Sequence, residues 1–199
     1  VQCTCIILQL IHTGNPLSTI GMEVSDCDHC TTILTDRKIS AEYFSFHTTD
    51  AEYQLLEKIR HTPKTKSLAG NADFALGIVT GNNKKYISSE QTKDNEIILK
   101  GSDICKYHIN PTPNHILFHP ENYQQVAPVE LYRAPEKLLY RFISSQLVFA
   151  YDDKQTLSLN SCNVVIPKLE GLHIKYILAI LNSRVAQFIY KMEFHSVKV

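Results

Sequence analysis

The sequence predicts an α+β fold, a curved and mostly antiparallel sheet with helices at its margins. Three observations point there. Short runs rich in β-branched and aromatic residues recur through the middle of the chain, each stopped by turn residues. A capped helix precedes them, and two segments with helical apolar periodicity follow them. Strands gathered together with helices outside them give an α+β arrangement, whereas strict alternation would give a parallel sheet.

The elements follow in order. Cys3 to Ile11 reads as a strand, closed by the turn signal Gly14-Asn15-Pro16, with a second strand expected around Thr31 to Leu34. Thr49-Asp50-Ala51-Glu52 has capping-box spacing, so a helix is predicted over 49–61, with Ala51, Leu55, Leu56 and Ile59 on one face and Pro63 beyond its end. Near residue 65 the pattern changes to β-runs: Phe74–Thr80, Glu96–Lys100, His115–His119, Lys137–Ile143, Leu147–Tyr151 and Asn163–Ile166, a sheet over 74–167. The connections 102–114 and 120–135 are long, and loops of that length in a compact domain are usually functional. Apolar residues at three- and four-residue steps predict helices over 171–193, broken at Asn182-Ser183, with Ser183 capping the second.

The composition narrows the function. A chain of 199 residues, 44% of them hydrophobic, is enough for one good core. No apolar run approaches the roughly 20 residues of a membrane helix, so no membrane partner is expected. Val1–Leu10 lacks the basic flank and cleavage site of a signal peptide, and the chain has no initiator Met; a segment of a longer cytoplasmic protein is expected. The 20 basic and 20 acidic residues cancel, but unevenly. Residues 1–65 carry 5 Lys/Arg and 8 Asp/Glu, a net of −3, so residues 66–199 carry +3. A phosphate-binding surface needs local Lys and Arg, not a basic total. The six cysteines, at 3, 5, 27, 30, 105 and 162, are read as reduced thiols.

Candidate chemistry is sparse. Cys27 and Cys30 could hold zinc with Cys3 and Cys5, but alternate residues on a strand point to opposite faces, which spoils that set. His115 and His119 read as strand-face histidines rather than ligands. Asp152 and Asp153 beside Lys154 suggest a Mg²⁺-dependent nuclease that lacks a third carboxylate. No nucleophile elbow, phosphate-cradling loop or S-adenosylmethionine loop is present, so this chain is expected to be non-catalytic and to hold no cofactor. Basic and amide residues do cluster at loops and strand ends: Asn82, Asn83, Lys84 and Lys85; Lys106 and Tyr107; Arg133, Lys137 and Arg141; and Lys154. Such side chains hold phosphates or read base edges.

At these same residues the sequence resembles a known family. FALGIVTGNNK (residues 74–84) resembles the "GI-x-TG-x-N" opening of the TaqI-like C-terminal specificity domain. LKGSDICKY (99–107) resembles its "GxDIxRY" segment, KLLYRFISSQLVFAYD (137–152) its "K-x-x-x-R … D" stretch, and LAILNSR (178–184) its "LLAxLNS" helix. A preceding helix such as that holding Leu55–Ile59 is also usual there, so the resemblance covers about residues 50–199. It implies a target-recognition domain that reads double-stranded DNA beside the adenine-N6 methyltransferase domain of the same polypeptide. Residues 49–199 would be that domain, and residues 1–48, with their strands, the tail of the methyltransferase fold or a connecting segment. The parent enzyme would use S-adenosylmethionine, with Mg²⁺ where it also cleaves. Lys106 stands where the family commonly has Arg, which turns a bidentate contact into a point charge. Gly77, Gly81, Gly101 and Asp103 are expected to be structural. A Mg²⁺-dependent nuclease at Asp152 and Asp153 and a zinc-stabilised interaction module at Cys27 and Cys30 are the competing readings.

Overall fold

The computed structural model describes residues 19–25, 30–37 and 48–193. The expected strand Cys3–Ile11, its turn and Cys27 lie outside the described residues. The chain forms two compact units; of the described residues, one takes those up to 65 with 191–193, and the other takes 66–190.

The first unit pairs β1 (Glu23–Ser25) antiparallel with β2 (Cys30–Thr32), with Val24 opposite Thr31. Helix α1 (Asp50–Arg60) starts at the predicted capping box: Thr49 Oγ1 accepts the Glu52 N–H, and Glu52 Oε2 accepts the Thr49 N–H at 2.8 Å. Buried Arg37 donates to the Thr48 carbonyl at 2.6 Å and to Asp50 Oδ1 at 3.2 Å. That carboxylate also accepts from Thr35 and Leu34, and these bonds hold Asp50 below its ordinary pKa.

The second unit contains β3 (Ala72–Ala75), the single turn α2 (Asn83–Tyr86), β4 (Ile87–Ser88), β5 (Glu96–Leu99), β6 (Ile104–Cys105), β7 (His108–Ile109) and β8 (His115–Ile116). Then come the single turn α3 (Val129–Tyr132), β9 (Lys137–Arg141), β10 (Phe149–Asp152), β11 (Leu157–Ser158), β12 (Cys162–Pro167), α4 (Ile174–Leu181) and α5 (Arg184–Glu193). The fold is mixed α and β with largely antiparallel pairing. The strands divide between two four-stranded sheets where one curved sheet was expected. The first has the order β10-β9-β12-β3 and is antiparallel throughout; the second has the order β11-β5-β8-β4, with β11 parallel to β5. Strands β6 and β7 make a separate hairpin.

The run Phe74–Thr80 was expected to be one strand, and it breaks where it passes from one sheet toward the other. Ala75 still faces Val164 of β12. The Gly77 N–H then goes to Asn163 Oδ1 at 3.0 Å, and the Ile78 N–H to the Ser158 carbonyl at 2.7 Å. A side chain at Gly77 would place Cβ 2.1 Å from the Leu159 carbonyl oxygen, so only glycine allows the crossing.

The first sheet is buried on both faces. Along β9, Leu139 joins a core with Ile78, Ile98, Ile116 and Leu157, while Leu138 joins Ile177 and Leu178 under α4. Along β12, Val164 and Val165 divide in the same way, as a side-chain period of two requires. Asn182 fastens the helical end to edge strand β10: its amide donates to the Phe149 carbonyl at 2.9 Å and its carbonyl accepts the Phe149 N–H at 3.0 Å. Ser183 Oγ accepts the Ala186 N–H at 3.2 Å, the predicted cap of α5.

Candidate nucleic-acid interface

Three local structures carry the predicted contact residues. The first is the turn at 81–86. Gly81 has φ +76°. Thr80 Oγ1 donates to Asn83 Oδ1 at 2.6 Å, and Asn82 Oδ1 accepts the Lys85 N–H at 3.2 Å. The two asparagines therefore use their carbonyl oxygens to build the turn, which leaves their amide NH₂ groups as donors toward a ligand. Lys84 and Lys85 are exposed on it. The Lys85 ammonium lies 4.8 Å from the centre of the Tyr86 ring, which meets Tyr123 edge-on at 5.2 Å and anchors the turn.

The second is the β6–β7 hairpin. Gly101 donates its N–H to Ser161 Oγ at 3.0 Å, and a Cβ there would lie 2.4 Å from the Ser161 carbonyl oxygen. Asp103 Oδ2 accepts the Lys100 N–H at 2.8 Å. Both residues shape the approach to the hairpin. Half-buried Lys106 and exposed Tyr107 form its tip, and the Tyr107 N–H is held by the Phe149 carbonyl at 2.9 Å. Arg141 Nε donates to the Ile104 carbonyl at 2.8 Å, which places this guanidinium beside the same hairpin.

The third is the region around Glu96. Arg133 forms a fork on its carboxylate, at 2.7 and 2.6 Å, and donates to the Gln155 carbonyl at 3.0 Å. The carboxylate raises the pKa of Arg133 and neutralises its charge, so Arg133 braces this edge and is not a free cation. Lys154 is exposed in the adjoining turn, on the wall of an open cleft of about 610 Å³ that Glu96, Asn110, Thr112 and Asp153 also line.

Lys137 corrects the sequence reading outright. Its side chain is fully buried, with Nζ 2.6 Å from Asp152 Oδ2 and 2.6 Å from the Tyr132 carbonyl oxygen. Burial pushes its pKa down against the opposing pull of Asp152. Lys137, Leu139 and Arg141 share one face of β9, and that face is core until the strand ends; only Arg141 emerges. Asp152 is equally committed, since it also accepts Thr156 Oγ1 at 2.8 Å and the Thr156 N–H at 3.0 Å. The nuclease reading loses its first carboxylate to this pair. His115 is buried, with Nδ1 2.9 Å from the Pro113 carbonyl, whereas His119 is exposed beside Glu121, so the two form no ligand pair. Cys30 is exposed, and among the described residues no group of three His, Cys, Asp or Glu could hold a metal ion. Nor is any described helix long and apolar enough to cross a membrane.

Sequence reasoning missed two features of this region. Asn182 was seen only as a helix break, although an amide between two helices is a common bridge to edge backbone. Strand β9 ends at Arg141, two residues earlier than expected, and leaves Phe142 and Ile143 56% and 63% exposed.

The model of the TaqI-like C-terminal specificity domain family matches residues 96–199. The Type II methyltransferase M.VspI of Vibrio sp. (strain 343) is 40% identical over 63 residues, which span 32% of this chain and 15% of that protein's length. Among solved structures, the HsdS subunit from Thermoanaerobacter tengcongensis aligns with a TM-score of 0.40 and 15% identity, over 75% of this chain and 35% of its own. Similarity of that degree carries no argument about function.

Proposed function

The chain belongs to the family of TaqI-like C-terminal specificity domains, and from that premise we propose that it recognises a specific sequence in double-stranded DNA for a bacterial adenine-N6 methyltransferase or restriction-modification enzyme. The family match over residues 96–199 carries this reading. Recognition and catalysis divide between domains: the methyltransferase domain of the same cytoplasmic polypeptide would hold S-adenosylmethionine, with Mg²⁺ added where the enzyme also cleaves, and residues 1–48 would form the tail of that domain.

The geometry sorts the contact residues. Lys84 and Lys85 hold phosphates from a rigid turn, and the amide donors of Asn82 and Asn83 reach a phosphate or an adenine edge. Lys106 and Arg141 flank Tyr107 on the second surface. Lys154 is a peripheral cation, while Arg133 and Lys137 maintain the fold. The test is duplex binding by the full chain at several salt concentrations. Replacing Lys84 and Lys85 by alanine is expected to weaken binding and to flatten log K against log salt by about 0.9 for each phosphate no longer neutralised. An unchanged affinity and slope would remove this turn from the interface.

A further inference from the structure

The open cleft beside β5 has a volume of about 610 Å³, and cavities of roughly 300–1,000 Å³ are the size class of small-ligand sites. Part of its lining is apolar. Ile97 and Leu99 share one face of β5 and both line it, with Ile97 46% exposed. Ile109 and Pro111 add further apolar surface.

Hydrogen bonds fix the two segments that border β5. In the first, the Asn110 N–H is held by the Asp103 carbonyl at 2.8 Å, and the Asn114 carbonyl just beyond it accepts the Ile98 N–H at 3.0 Å. The second is the turn 152–156. Asp152 accepts the Thr156 N–H at 3.0 Å and the Thr156 hydroxyl at 2.8 Å, while Arg133 joins the Gln155 carbonyl to the Glu96 carboxylate at the start of β5. The cleft is therefore built before any ligand arrives.

Charge along the lining is close to balanced. Glu96 is forked by Arg133, and Asp152 is paired with Lys137. Asp153 and Lys154 remain, one of each sign. Such a lining has no cluster of cations for a phosphate, in contrast to the turn that carries Lys84 and Lys85. It suits a neutral ligand with apolar faces and hydrogen-bonding edges. The part of a nucleic acid with that chemistry is the base, and a base enters a cleft only when it has left the stack.

Gln155 is the least expected member of the lining. Its φ is +56°, a conformation that glycine or asparagine adopts at lower cost. Its carbonyl serves Arg133, a bond that any residue could make. Its side chain is exposed, and the amide has no partner among the described residues. The turn gains nothing from that amide, which offers a donor and an acceptor side by side, the complement of an adenine edge. The neighbouring Asp153 carboxylate only accepts, so it adds a partner for an exocyclic amino group.

We propose that this cleft holds one unpaired nucleobase bearing an amino group, seated against Ile97 and read at its edge by Gln155 and Asp153. The base comes either from the bound duplex, by extrusion, or from a free nucleoside. The first source rests on the reading that the chain binds duplex DNA, and the second does not.

Two arms with the full chain separate the sources. In the first, the ¹⁵N-labelled protein is titrated with deoxyadenosine, deoxycytidine and thymidine, and its amide resonances are followed. Deoxyadenosine or deoxycytidine is expected to shift the Gln155 side-chain amide with residues 97–99 and 153–156, and thymidine to leave them in place. In the second, a duplex enriched from a random pool carries 2-aminopurine at successive adenines, and extrusion into the cleft raises fluorescence several-fold at one position. Gln155→Gly should weaken the nucleoside shifts or the fluorescence response by about five- to a hundredfold, the range for one bidentate base contact. It should melt no lower than wild type, because glycine relieves the left-handed strain. Its salt slope on duplex stays unchanged, because no phosphate contact is lost. Ile97→Thr keeps a β-branched residue in β5 and should reduce the same responses. A response in either arm that both variants diminish supports the site and names its source. No response in either arm, equal shifts with thymidine, or a response untouched by both variants overturns it. Duplex binding with normal salt dependence but no response in either arm sinks the cleft and leaves the DNA reading standing. Nucleoside shifts without any duplex binding bring down the DNA reading and keep the cleft.

Discussion

Cutting one side of the Lys137–Asp152 pair separates a folding role from a DNA-binding one. Both side chains are essentially without exposure, 0% and 1%, and the ammonium also serves the Tyr132 carbonyl. Lys137→Met keeps the buried stem but leaves the Asp152 carboxylate with no cation beside it, only the neutral donors of Thr156 and the Lys154 N–H. Removing one member of a buried pair costs about 3–5 kcal/mol, because the remaining charge is stranded. A domain of this size drops by about 2–4 °C per kcal/mol, so the melting temperature should fall by about 6–20 °C. The double variant Lys137→Met with Asp152→Asn removes both charges and should recover at least half of that loss, which gives a large coupling in a double-mutant cycle. Thermal unfolding by circular dichroism reads the stability. Anisotropy below the transition reads duplex binding, whose salt slope should match the wild type. A melting temperature within about 2 °C of wild type, together with a flattened salt slope, would refute the folding role and return Lys137 to the DNA surface.

Other perturbations test the fold around the site. Gly77→Ala forces Cβ to within 2.1 Å of the Leu159 carbonyl oxygen and should cost more than about 3 kcal/mol, read as loss of soluble folded protein, whereas Gly81→Ala meets only ordinary contacts and costs about 1 kcal/mol in left-handed strain. Asn182→Ala strands the Phe149 N–H, while the Phe149 carbonyl keeps the Tyr107 N–H, and should lower stability by about 1–3 kcal/mol in urea titration, with no change in DNA salt slope. Stability should also fall on the alkaline side. Burial raises the pKa of Cys162 from its ordinary 9.0 and those of Tyr132 and Tyr140 from 10.0. For each group the unfolded chain loses its proton first, so the folded state is penalised once pH passes the unfolded value, by up to about 1.4 kcal/mol per pH unit for each group. The decline should begin near pH 9 and steepen above 10. Cys162→Ala, though less stable, should show a shallower fall between those values, and an equally steep one would contradict the assignment.

What the sequence made legible was local. Thr49 with Glu52, and Ser183 before α5, announce helix starts through spacing alone, because the bonds they make reach only three residues. Strands β5, β9 and β12 carry four to six residues of apolar pattern, enough to mark them. Strands β4, β6, β7 and β11 have two residues each, too few for any period to appear. The division into two sheets was hidden in Gly77, which looks like any turn glycine until Leu159 is placed against it. Lys137 and Arg141 were placed on one face by parity, and that placement holds. Parity cannot say that the shared face is covered, since the first sheet is buried on both sides. Arg133 looked free because its partner, Glu96, is 37 positions away in the chain.

That this chain reads a DNA sequence is tested most directly by equilibrating it with random-sequence duplexes at low and moderate salt and sequencing those it retains. Binding should weaken steeply with salt, and the retained duplexes should share one short motif. Retained duplexes as diverse as the starting pool, or none retained at low salt, would contradict the recognition role.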